Sequence, residues 1–180
     1  MGSERSRHCE GTQPFNNSGL PCSGKPLHTR ESDVTRARTA RASDPVKAVL
    51  CTQYGPLDAL ALADVPEPAA GPGEAVVAVK AVGLNFFDTL LVAGQYQVKP
   101  ELPFSPGAEF AGVVESVAAG VTAVKPGDRV MGYANYGAAR ERIAVSADTL
   151  IPMPAGLDFD RAAGLLVTYG TSYYALKDRA

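Results

Sequence analysis

Asn85-Phe86-Phe87-Asp88 sets an amide and a carboxylate three positions apart, which places both on roughly the same side of a helix. The asparagine can donate and accept hydrogen bonds at once, so it can border a ligand. It can equally cap the helix that follows, with Asp88 favourably placed in the first turn. Tyr96, Tyr133 and Tyr136 fall in loop-like contexts where a phenol can face a ligand; ordinary packing accounts for each of them as well. Thr168 and Thr171, three apart in TYGTSYYAL, suit a helix start and suit ligand contact. In PGAEFAG (106–112) a carboxylate, Glu109, stands among small residues directly ahead of an apolar run. Desolvating a charge is costly, so a buried Glu109 needs a partner.

What the chain lacks narrows the chemistry. From Val46 onward there is no histidine and one cysteine, Cys51. That part cannot build a Ser-His-Asp or Cys-His site, nor the His/Cys shell usual for zinc. It has no internal disulfide, which fits a reducing, cytoplasmic setting. No G-x-G-x-x-G and no G-x-S-x-G occurs, and the glycines five apart in 107–112 and 132–137 lack a following Lys-Ser/Thr. Basic residues after Val46 are dispersed and not interleaved with aromatics, and the net charge is -2, so no nucleic-acid partner is expected. No apolar run approaches the roughly 18 residues of a membrane span.

Among the elements that must position these residues, composition breaks near residue 45. Residues 1–45 carry seven basic and five acidic side chains, both histidines (His8, His28) and Cys9 and Cys22. Without an apolar period of either kind they are expected to be a disordered extension. The phosphate-loop imitation Gly19 to Lys25 lacks the Ser/Thr that would hold magnesium, Pro26 standing in its place.

Val46 opens a series of short strand candidates separated by Gly/Pro turns: VKAVLCT, LALADV, EAVVAVKAVGL, EFAGVVESV, DRVMGYA, ARERIAVSA and TLIPMP. In the third, Val77 and Val79 are expected on one face and Val76, Ala78 and Lys80 on the other. NFFDTLLVAG reads as a short helix between Asn85 and Gly94. DFDRAAGLLVTYGTSYYALKDRA reads as a helix capped by Asp158 and interrupted near Gly170. Many short strands at near-regular spacing favour a β-barrel, with one flanking and one exit helix.

In order, VGLNFFDTLLVAGQY, LPFSPGAEFAGVVESVAAGV, KPGDRVMGY and AAGLLVTYGTSYYAL resemble the N-terminal half of a medium-chain dehydrogenase/reductase, in the zinc-independent quinone oxidoreductase (zeta-crystallin-like) branch. The resemblance runs from Val46 to Ala180. It implies a mainly β fold with flanking helices (α+β), a GroES-like partly open β-barrel. Residues 46–160 would form the catalytic domain and 161–180 an exit helix leading toward a nucleotide-binding Rossmann domain that is absent from these residues. The zinc enzymes of the family carry a metal-binding His and Cys where this sequence has Ala108 and Asn85, so no zinc is implied.

The implied activity is NADPH-dependent reduction of quinones or α,β-unsaturated carbonyls (enones). Such acceptors spread incoming charge over a π-system and need only hydrogen bonds at oxygen. Asn85 would border nicotinamide and substrate, Tyr96 and Tyr133 would position or protonate the acceptor, and Thr168 or Thr171 would touch the cofactor. NADPH would be held mainly by the absent domain, through which a homodimer would also form, so the 180-residue chain alone is expected to be inactive. The alternatives are a non-enzymatic GroES-like binding module or a truncated gene remnant.

Overall fold

The computed structural model describes residues 45–180. The expectations made for the extension before them, including Cys9, Cys22, His8 and His28, lie outside the described residues. Strand β1 (Val46–Cys51) pairs antiparallel with β2 (Leu60–Val65), from Val46 opposite Val65 to Cys51 opposite Leu60. Five further strands form one antiparallel sheet: β3 (Glu74–Gly83), β4 (Glu109–Val117), β5 (Arg129–Tyr133), β6 (Arg142–Ser146) and β7 (Leu150–Pro152). Their spatial order is β6-β3-β4-β5-β7.

The two sheets are stitched by single contacts instead of a shared ladder. Val49 N–H donates to the Ala139 carbonyl, and Cys51 and Phe104 exchange both backbone bonds. The result is the partly open, mainly β architecture that the resemblance implies, with the strands in two sheets and not in a closed barrel. Phe110 is fully buried and clusters with Val77, Val114, Val130, Ile143 and Leu150, all buried. Burial of a side chain of that class contributes roughly 1.5–3 kcal/mol.

Strand β3 departs from simple alternation. Val76 and Val77 are both buried, because the register against β4 shifts between them and again between Val79 and Ala81. Such irregularities bend and twist a strand, and β3 lies between its two partners β4 and β6. Helix α1 (Phe86–Val92) packs Leu91 and Val92 against Cys51 and Phe104 and ends at Gly94, whose φ of 69° suits a residue without a Cβ.

The C-terminal segment contains two helices, α2 (Phe159–Ala163) and α3 (Leu166–Asp178). Asp158 caps α2, its Oδ1 accepting from Arg161 N–H at 2.9 Å. The break falls at Gly164–Leu165 and not at Gly170, which lies inside α3. One interior glycine costs a helix about 1 kcal/mol, too little to end it. Helix α2 instead stops where Ala162 and Ala163 are pinned against Ala111 and Met131.

Candidate active site

Glu109 organises the site. It opens β4, is 2% exposed, and spends its two oxygens on two different elements. Oε1 accepts from Asn85 Nδ2 at 2.9 Å, and Oε2 accepts from Val167 N–H at 2.9 Å. Because Glu109 Oε1 is the acceptor, the Asn85 amide nitrogen is committed to Glu109, and its oxygen faces the Asp88 N–H in the capping box that starts α1. Val167 lies in the first turn of α3, where a backbone N–H has no partner within the helix and a negative charge is favourable.

Asp88 is a second buried carboxylate, 4% exposed. Its Oδ2 accepts from Asn85 N–H at 2.8 Å and its Oδ1 from Gly107 N–H at 3.1 Å. It therefore clamps the start of α1 to the PGAE turn. Burial raises its pKa above the ordinary aspartate value; the two backbone bonds oppose this, and the charge of Glu109 adds to it. Close packing surrounds the pair. Gly83 stands opposite Glu109, and a Cβ there would collide with the Ala163 carbonyl oxygen and lie 2.6 Å from Glu109 Cγ.

In front of this buried layer runs an open cleft of about 740 Å³. Tyr96, Tyr133 and Thr171 line it together, with Phe87, Val167 and Tyr174. Tyr96 packs against Phe87 with ring centroids 5.6 Å apart. Tyr133 ends β5, opposite Glu109 in register. Burial pushes the Tyr133 phenol above its ordinary value, and nearby Tyr96, Asp88 and Glu109 act in the same direction, so it stays a proton donor near neutral pH.

The other candidates stand elsewhere. Asn85 does not line the cleft; it sits behind it, tied through Glu109 to Val167. Thr168 is exposed on α3, its carbonyl accepting from Ser172 Oγ at 2.9 Å. Tyr136 packs edge-on against Phe104, centroids 5.9 Å apart, away from this cleft. Phe87, Val167 and Tyr174 are walls that reading the sequence missed. A signal existed for the last two, since Val167, Thr171 and Tyr174 recur at helical spacing on one face.

The donor set admits some cofactors and not others. Among the described residues, no three His, Cys, Asp or Glu side chains group to hold a metal ion. Ala108 offers no ligand atom and the Asn85 amide is committed, so these positions do not fit zinc. The aromatic and hydroxyl walls fit a nicotinamide ring, whereas no Lys or Arg lines the cleft to meet its phosphates. No helix among the described residues is long and apolar enough to cross a membrane.

Comparison with known proteins places this geometry. Residues 71–155 match the alcohol dehydrogenase GroES-like domain. Quinone oxidoreductase-like protein 2 of Rattus norvegicus is 41% identical over 134 residues, covering 74% of this chain and 38% of that protein. A probable oxidoreductase from Mycobacterium abscessus superposes with a TM-score of 0.69 at 42% identity, covering 73% of this chain and 42% of the other. The quinone oxidoreductase of Thermus thermophilus, solved also in complex with NADPH, gives 0.63 at 41% identity over 73% and 40%. The chain thus spans well under half the length of these relatives. Residues 71–155 therefore carry the alcohol dehydrogenase GroES-like domain, and the relatives that the chain matches are quinone oxidoreductase-like medium-chain dehydrogenase/reductases.

Proposed function

We propose that residues 46–180 form the substrate-facing half of an NADPH-dependent oxidoreductase that reduces quinones or enones without zinc. The observation that carries this reading is the cleft that brings Tyr96, Tyr133 and Thr171 together in front of the Asn85–Glu109–Val167 bonds. NADPH, when bound, supplies the hydride. Tyr133, held protonated, donates a hydrogen bond to the acceptor's oxygen where negative charge develops. Tyr96 and Phe87 stack against the acceptor's ring and exclude water from it. Thr171 on the cleft wall is assigned to the cofactor's side, with Thr168 three residues before it on α3 and Asn85 behind the cleft, tied to α3 through Glu109 and Val167.

The test is a graft. Residues 46–180 replace the corresponding segment of the Thermus thermophilus quinone oxidoreductase, and loss of NADPH absorbance is followed with 1,4-naphthoquinone and with cyclohexenone. Turnover is expected in the graft and not in the 180-residue chain alone. Tyr133→Phe should lower kcat about tenfold to a hundredfold with a smaller effect on KM. A folded graft that binds NADPH yet reduces neither acceptor would return the chain to the binding-module reading.

A further inference from the structure

Arg140 stands apart from its cationic neighbours. Its Nε is buried with no hydrogen-bond partner, and it makes no ion pair among the described residues. Arg142, two positions on, is the opposite case, with Nε 2.6 Å from Glu115 and 3.4 Å from Glu67. A guanidinium stays charged near neutral pH, so burial cannot neutralise it, and a buried donor without an acceptor calls for an explanation. Its backbone is fixed: Arg140 bridges Ala48 across the seam between the two sheets, and its N–H donates to the Ala138 carbonyl.

Arg140 lines a second cleft, of about 720 Å³, that shares no wall residue with the Tyr96–Tyr133 cleft. Its charged lining is two cations, Arg140 and Lys99, against one acid, Glu101. Phe104, Val98 and Ile143 supply apolar wall, and Tyr136 contributes a ring held by Phe104. We propose that this cleft binds a small organic carboxylate, anchored on Arg140, with its apolar body against Phe104 and Ile143. The Nε is closed to the cleft, so the anchor is the pair of terminal nitrogens, which matches a carboxylate with two parallel bonds. An inorganic anion would satisfy the charge and leave the apolar wall uncovered. The site is independent of the proposed reductase chemistry, since none of the residues assigned there lines it.

Benzoate is the probe. The full chain is titrated with it at constant ionic strength while the arginine Nε–H resonances are followed by NMR. One Nε–H should shift saturably, and benzoate ring protons should show contacts to the Ile143 and Val145 methyls. Arg140→Gln should weaken binding about tenfold to a hundredfold. Inorganic phosphate should compete about tenfold or more less well, measured at equal ionic strength. The wild-type titration decides the matter even if the variant does not fold. A non-saturating shift, contacts elsewhere on the surface, or undiminished binding by folded Arg140→Gln would each overturn the proposal. Phosphate competing as well as benzoate would overturn its assignment to an organic acid.

Discussion

At the scale of single residues, the two buried carboxylates do different work and should fail differently. Glu109 accepts at both oxygens, so Glu109→Leu leaves the Asn85 amide and the Val167 N–H without an acceptor, whereas in Glu109→Gln a flipped Asn85 amide can accept from the new NH2. Leaving two donors unpaired in Glu109→Leu should cost about 2–3 kcal/mol, read as a lower urea midpoint at unchanged m, with Glu109→Gln losing less. Asp88 should be distinguished by pH. Its folded pKa is raised from the ordinary 3.8, so the folded state holds that proton more tightly than the unfolded chain. Its contribution is therefore complete below 3.8 and declines as pH rises through the higher folded value. The stability gap between wild type and Asp88→Asn should accordingly shrink as pH rises across that window. A gap that widens would mean that the folded Asp88 carboxyl holds its proton less tightly than the unfolded one.

At the scale of elements, the fold turns on how closely β3, β4 and α2 approach. Gly83→Ala would drive a methyl into the Ala163 carbonyl and the Glu109 side chain at once, neither of which is a free flexible end. A loss of about 3 kcal/mol is expected, with α2 lifted from β3. Gly170→Ala should do the reverse, because a Cβ there meets nothing within 4 Å and the residue is helical. A gain of about 0.5–1 kcal/mol in local helix stability, seen as higher far-ultraviolet helicity, follows from the removed backbone entropy. The same glycine shows where reading the sequence failed. Capping at Asn85 and Asp158 was legible because a cap is written within four residues, and the strands were legible from apolar runs between turns. The true helix break at Gly164–Leu165 was not, since it is set by packing of Ala162 and Ala163 on Ala111 and Met131. Likewise the partners of Glu109 lie 24 and 58 positions away in the chain, a pairing no local spacing can reveal.

At the scale of the whole molecule, the cleft is built from two unequal walls. One is the end of strand β5 carrying Tyr133, with Phe87 and Tyr96; the other is α3, which contributes Val167, Thr171 and Tyr174 and buries no side chain of its own. Tyr169 is 67% exposed and Leu176 76%, so packing does little to hold the helix. Helical segments without buried contacts open locally at far lower cost than the sheet they adjoin. Amide exchange across residues 168–178 should thus be fast, while β3 and β4 exchange only through global unfolding. A ligand that fills the cleft binds only while α3 is folded, and by mass action it should stabilise α3 selectively. Saturating 1,4-naphthoquinone is expected to slow exchange in α3 and around Tyr96 while leaving the β1–β2 pair unchanged. If α3 is already as protected as β4 without ligand and becomes unprotected on dilution, its exposed aromatic face is covered by a second copy of the chain. The cleft wall would then be set by association rather than by ligand.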